Sequence, residues 1–149
     1  PNGAKVVEYN CRFGDPETQV VLPLLETDLV DIMEAVWEEK LDQLDIKWSD
    51  KSCACVVIAS GGYPEKYVTG KEISGLDEKG QSPLAYVYHA GTKLENGRYY
   101  TAGGRVLGVT ATGKDLREAL DKAYKAVDTI TFENAHHRKD IGQRALRAL

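Results

Sequence analysis

The stretch Cys53-Ala54-Cys55-Val56-Val57-Ile58-Ala59-Ser60 constrains this chain more than any other. It carries no charge and is apolar on both faces, so it cannot alternate between core and water, and it is too short for most helices. It stops at Gly61-Gly62-Tyr63-Pro64, a strong turn signal. The run therefore reads as a buried strand. A chain of 149 residues with 42% apolar and 28% charged residues has the material for such a core, since a globule of this size buries roughly 68–70% of its unfolded surface.

Further strands are readable downstream. Leu84 to Ala90 is one candidate. Thr92-Lys93-Leu94-Glu95 and Arg98-Tyr99-Tyr100-Thr101 flank Asn96-Gly97, a pair that favours the positive-φ turn of a two-residue hairpin. Arg105 to Thr112 supplies another strand after Gly103-Gly104. Between Asp115 and Ile130, the residues Leu116, Ala119, Leu120, Ala123, Tyr124, Val127 and Ile130 fall on one helical stripe, predicting a helix laid across the sheet. The closing HHRKDIGQRALRAL predicts a last helix, weakened by Gly142.

Upstream of the buried run, Lys5 to Asn10 reads as a strand with Glu8 and Asn10 on one face and Val7 and Tyr9 on the other. Gly14-Asp15-Pro16-Glu17 has helix-start chemistry, with Asp15 as a cap, Pro16 at the first position and Glu17 in the first turn. Val20, Val21, Leu24 and Leu25 then cluster as in a short helix that Pro23 breaks. Asp28 caps a second helix, in which Leu29, Ile32, Met33, Val36 and Trp37 form the pattern of one buried stripe. A boundary falls between Leu41 and Ser52, where helical pattern gives way to strands. The fold class is α+β.

A net charge of −4 argues against a general nucleic-acid binder, while leaving room for a local basic cluster around one small anion. No apolar run approaches the roughly 20 residues of a membrane span, and no signal-peptide pattern opens the chain. Three cysteines, Cys11, Cys53 and Cys55, lack a framework spacing and suit a reducing, cytoplasmic setting. Cys53 and Cys55 read as buried strand residues, since no second pair completes a metal site. The first residue is Pro1 rather than Met, which predicts that further sequence precedes it.

The chemistry concentrates in EYNCRFGDPETQ, Glu8 to Gln19. Two side-chain oxygens two residues apart on a strand leave the same face, and a Glu-x-Asn pair suits a magnesium ion shared with phosphates. The plainer alternative is a solvated Glu8 and an Asn10 that starts a turn. Arg12 adds a fork for carboxylate or phosphate, and Gly14 permits close backbone approach.

EYNCRFGDPETQVVLPLLETDLV resembles the corresponding stretch of the phosphoribosylamine–glycine ligase (glycinamide ribonucleotide synthetase) family, ATP-grasp enzymes of purine biosynthesis. The resemblance continues in order through SGGYPEKYVTGKEISGL, YHAGT, TAGGRVLGVTATG, EALDKAYKAVDTI and RKDIGQRAL. It implies that residues 1–45 end an ATP-grasp core. Residues 46–149 would form a small, mainly antiparallel, barrel-sandwich-like C-terminal domain with a packed helix. The implied reaction joins glycine to 5-phosphoribosylamine with ATP as co-substrate, giving the amide, ADP and phosphate, with no covalent enzyme nucleophile. By the same resemblance Glu8 and Asn10 hold Mg²⁺ or Mn²⁺. Arg12 binds a substrate carboxylate or phosphate, and Asp15 contacts an amine or caps its helix. His89, Gly103, Gly104 and Arg105 surround the ribose-phosphate side, with a hydrogen-bonded strand residue as the alternative for His89. His136-His137 and Arg138-Lys139 read as solvated surface rather than a site. The family's nucleotide lid, adenine pocket and upstream metal ligand have no counterpart here, so the chain alone is expected to be inactive. Fusion to other purine-pathway enzymes is a further possibility. Glu-x-Asn is common to other ATP-grasp ligases and carboxylases, which with a non-catalytic ligand- or partner-binding module are the rival readings.

Overall fold

The structure, a computed structural model, describes residues 3–148. In chain order it contains helices α1 (Thr18–Val21) and α2 (Leu29–Trp37), then strands β1 (Ser52–Ala59), β2 (Glu72–Ile73), β3 (Tyr86–His89), β4 (Thr92–Glu95), β5 (Arg98–Thr101) and β6 (Arg105–Gly113). Helix α3 (Leu116–Val127), strand β7 (His136–His137) and a one-turn α4 (Gln143–Leu146) complete it. Strands β3, β6, β1 and β7 form one sheet in that order and β2, β5 and β4 a second, with every pair antiparallel.

The charge-free run is the spine, as its composition predicts. Along β1 and β6 the register pairs Cys55 with Thr110, Val56 with Val109 and Val57 with Gly108, and it shifts between Ile58 and Ala59. Alternation then sends Ala54, Val56 and Ile58 to one face with Leu107, Val109 and Ala111 of β6. Ala119, Ala123, Ala126 and Val127 of α3 close over that face, and all ten are buried. Small residues on α3 admit the larger strand side chains, each worth about 1.5–3 kcal/mol when fully buried. The start of α3 is set by a reciprocal cap. Asp115 accepts the Glu118 N–H at 2.9 Å, and the Glu118 carboxylate accepts the Lys114 N–H at 2.8 Å. That N–H and the nearby Lys122 ammonium hold the Glu118 carboxyl below the usual carboxylate range. The β4–β5 hairpin turns at Asn96 and Gly97, whose φ of 50° and 76° are those Asn-Gly favours.

Three expectations fail. Lys5 to Asn10 forms no strand and is exposed, because no described strand offers its backbone partners, and a lone strand has no ladder to stabilise it. Helix α2 starts as predicted, with Asp28 accepting the Val30 N–H at 2.8 Å. Its apolar stripe is only partly covered, however: Leu29 and Ile32 are half-buried, Met33, Val36 and Trp37 are exposed, and the helix contains no buried residue. Third, the basic tail does not make one helix. His136 and His137 instead pair with Ala59 and Ile58 as an edge strand. Gly142, at φ 74°, precedes the single turn of α4.

The other face of the large sheet, carrying Cys53, Cys55, Val57, Gly108 and Thr110, is crossed by α1 and the 3-10 turn Leu22–Leu24 that follows it at Pro23. Lys47 to Ser49 runs back beside this segment, with Glu26 N–H on Lys47 O and Ser49 N–H on Leu24 O. Backbone hydrogen bonds therefore cross the boundary expected near residue 45.

Candidate functional site

The shift between Ile58 and Ala59 places Arg105 opposite Ala59, at the end of the sheet where the chain from Gly14 to Pro16 passes. Arg105 meets Asp15 there: one guanidinium nitrogen lies 3.1 Å from Asp15 Oδ2, and another donates to the Asp15 carbonyl at 3.3 Å. The second carboxylate oxygen, Oδ1, accepts from Gln19 Nε2 at 2.8 Å. Asp15 is therefore not the helix cap. Glu17 occupies that position without a side-chain bond, because the Asp15 carboxylate is engaged by Arg105 and Gln19.

Beside this pair opens a cavity of about 450 Å³ whose polar lining includes Arg105, His136, His137 and Arg138. Pro16, Cys55, Val57, Tyr63, Pro64 and Ile141 supply much of its apolar wall. Arg138 also grips Asp140 bidentately at 2.8 and 2.7 Å, which holds that carboxyl below its usual range and keeps the guanidinium protonated. Burial pushes the Cys55 thiol up, and the Asp15 charge adds to this. Burial, then Cys55, pushes the Cys53 thiol up to about 11. Both are poor nucleophiles at neutral pH. A larger cavity of about 540 Å³, lined by Leu22, Pro23, Tyr86, Tyr88 and Thr110 among others, has Lys122 as its one charged group. It contains none of the candidate site residues read from the sequence.

The remaining sequence-predicted residues divide. Glu8 and Asn10 do come together, Asn10 Nδ2 donating to Glu8 Oε1 at 3.3 Å on an exposed segment. Two oxygen-bearing groups of this kind suit a hard cation that keeps waters and takes phosphate oxygens. Among the described residues no cluster of three or more His, Cys, Asp or Glu could hold a metal without outside ligands. Arg12 is exposed and donates to the Phe13 carbonyl at 3.2 Å.

His89 has both ring nitrogens engaged, Nε2 with the Gly80 carbonyl at 2.8 Å and Nδ1 with Thr92 Oγ1 at 2.9 Å. It stacks on Tyr99 at 4.7 Å. Gly103 and Gly104 are needed by the protein itself. A side chain at Gly103 would crowd Gly91 Cα at 3.0 Å, and one at Gly104 would strike the Tyr63 ring at 2.2 Å. Their carbonyls accept from Ser60 Oγ and Ser60 N–H. They shape the turn into Arg105. Sequence reading assigned His136, His137 and Arg138 to solvated surface and gave Gln19 no role; the run of bases after α3 was the available signal, but the pairing with β1 that brings it to the cavity was not.

Comparison with known proteins identifies the fold. Residues 53–144 match the family model described as phosphoribosylglycinamide synthetase, C domain. The chain belongs to that family. A phosphoribosylamine–glycine ligase of Synechocystis sp. is 52% identical over 143 residues, covering 95% of this chain and 34% of that protein. The trifunctional purine biosynthetic protein adenosine-3 of Gallus gallus is 50% identical over 149 residues, covering 99% of this chain and 15% of that protein. A crystal structure of phosphoribosylamine–glycine ligase from Thermotoga maritima superposes with a TM-score of 0.70 at 30% identity, over 91% of this chain and 32% of that one. The chain thus spans 34% or less of the length of these three relatives. The small mixed domain with antiparallel sheets is the synthetase C domain, and among the described residues no helix is long and apolar enough to cross a membrane.

Proposed function

We propose that this chain serves as the C-terminal part of an ATP-dependent ligase that joins glycine to 5-phosphoribosylamine in purine biosynthesis. Residues 1–45 would end an ATP-grasp core and residues 46–149 form the small C-terminal domain. Similarity along almost the whole chain to proteins named phosphoribosylamine–glycine ligase supports the reading. The observation that carries it into chemistry is the cavity beside Asp15, where Arg105, His136, His137 and Arg138 converge on a space fit for a small anion.

In this reading the glycine carboxylate takes the γ-phosphoryl group of ATP, releasing ADP. The amine of phosphoribosylamine then attacks the acyl carbon and expels phosphate as the amide forms. Glu8 and Asn10 would hold Mg²⁺ or Mn²⁺, which when bound offsets charge on the migrating phosphoryl. Arg105 and Arg138 bind the ribose phosphate, for which a planar guanidinium fork is better matched than an ammonium. Asp15, fixed beside the cavity, accepts the substrate amine, and Arg12 meets a carboxylate or phosphate from the exposed loop. Gly103 and Gly104 let the backbone turn closely enough to present Arg105, and His89 braces the neighbouring strand.

The test is ADP formation dependent on both glycine and phosphoribosylamine. The complete protein containing this segment should show it, Glu8→Gln should lower it sharply at limiting magnesium, and the 149-residue chain alone should show none. Turnover by the chain alone, or an unchanged rate for Glu8→Gln, would overturn the corresponding part.

A further inference from the structure

We infer that Gln19 is a positioning residue, acting through Asp15 on the amine-bearing substrate; the inference rests on the ligase reading above. Asp15 and Gln19 stand four residues apart across the start of α1, and the Gln19 amide nitrogen donates to Asp15 Oδ1 at 2.8 Å. With Arg105 on Oδ2 at 3.1 Å, each carboxylate oxygen has its own protein donor, which fixes the plane of the group beside the cavity. Arg105 alone would leave the carboxylate free to rotate about the bond it grips.

Gln19 packs over the strand at Gly108, where an added Cβ would stand 4.0 Å from Gln19 Cγ, an ordinary contact. Gln19 Oε1, meanwhile, is buried and has no hydrogen-bond partner among the described residues. A buried acceptor left unpaired is costly, so a side chain retained for packing would be better as an apolar one. What distinguishes glutamine from methionine here is the N–H aimed at Asp15.

The experiment is a double-mutant cycle in the complete ligase together with a structural readout on this chain. Gln19→Met keeps length and removes the donor. It should raise KM for phosphoribosylamine about tenfold, as loss of a hydrogen bond to a charged group does, with kcat within about twofold and the melting temperature unchanged or higher, because the unpaired acceptor goes with the amide. In an Asp15→Ala background the same change should add nothing. In the 149-residue chain the ¹H–¹⁵N signals of the Gln19 side-chain amide should move on Asp15→Ala. An equal KM penalty in both backgrounds would overturn the inference, as would an unchanged KM with a lower melting temperature. If the unmutated complete protein makes no product, the ligase reading falls. The amide signals still decide the contact, and signals indifferent to Asp15→Ala would reject it.

Discussion

Helices α2 and α3 carry the same kind of pattern and meet opposite fates. Each has an aspartate cap that accepts a backbone N–H, and each repeats apolar residues at three- and four-residue steps. In α3 that stripe is shut against β1 and β6, with Ala119, Ala123 and Ala126 fully buried. In α2 no stripe residue is buried, and Met33, Val36 and Trp37 are exposed, Trp37 to 88%. Periodicity thus specifies a helix and which of its faces is apolar, but the cover must come from elsewhere in the chain or from another surface. The contrast extends to the chemistry. The groups proposed to meet an anion line a cavity at the end of the large sheet, whereas Glu8, Asn10 and Arg12 stand on an exposed segment tied to it through Asp15 and α1.

The largest test of this contrast is a pair of truncations. Leu107→Ala, at a fully buried site, should cost about 2–5 kcal/mol of stability, whereas Val36→Ala on α2 should stay within about 0.5 kcal/mol. Urea unfolding of the isolated chain measures both, and comparable losses would mean that α2 is covered after all. Next comes the bridge between the two regions. In the complete protein Arg105→Ala should lower kcat/KM for phosphoribosylamine roughly 10- to 150-fold, as loss of a charge-assisted contact does, with Arg105→Lys little better. The Asp15 pair is more than a third exposed on both sides and accounts for little stability. A drop in melting temperature with kinetics intact would therefore assign Arg105 to structure alone.

The caps give a smaller effect. Asp115→Ala should cost about 1 kcal/mol of global stability. Asp28→Ala should lower helicity in α2 and leave the unfolding midpoint in place, because that helix contributes little to the cooperative core. Circular dichroism at 222 nm alongside urea melts separates the two outcomes.

Much of the packed part was legible because its rules are local. The charge-free run, the Asn-Gly turn and the apolar stripe between Asp115 and Ile130 each specify backbone geometry from neighbouring residues, and all three lie where expected. What was not legible depended on distant partners. Lys5 to Asn10 alternates like a strand, but a strand needs a neighbour to pair with. Asp15 has cap chemistry, yet Arg105, ninety residues away, claims its carboxylate. His136 and His137 look like surface until their pairing with Ile58 and Ala59 puts them on the cavity wall.

The smallest expected effect is in the thiols. The folded Cys53 thiol keeps its proton to about 11 rather than 9.0. As pH rises between these values the unfolded chain loses that proton first, so stability falls across that window and is unaffected below it. Cys53→Ser should flatten this part of the pH–stability curve. At neutral pH, iodoacetamide should label exposed Cys11 well before Cys53 or Cys55.

Residue-resolved amide hydrogen exchange on the 149-residue chain tests the central contrast most directly. The packed-core account predicts that the amides of Val56, Leu107 and Ala123 exchange only through global unfolding, while those of Met33 to Trp37 in α2 exchange at least about a hundredfold faster through local opening. Equal protection of α2 and α3 would contradict it.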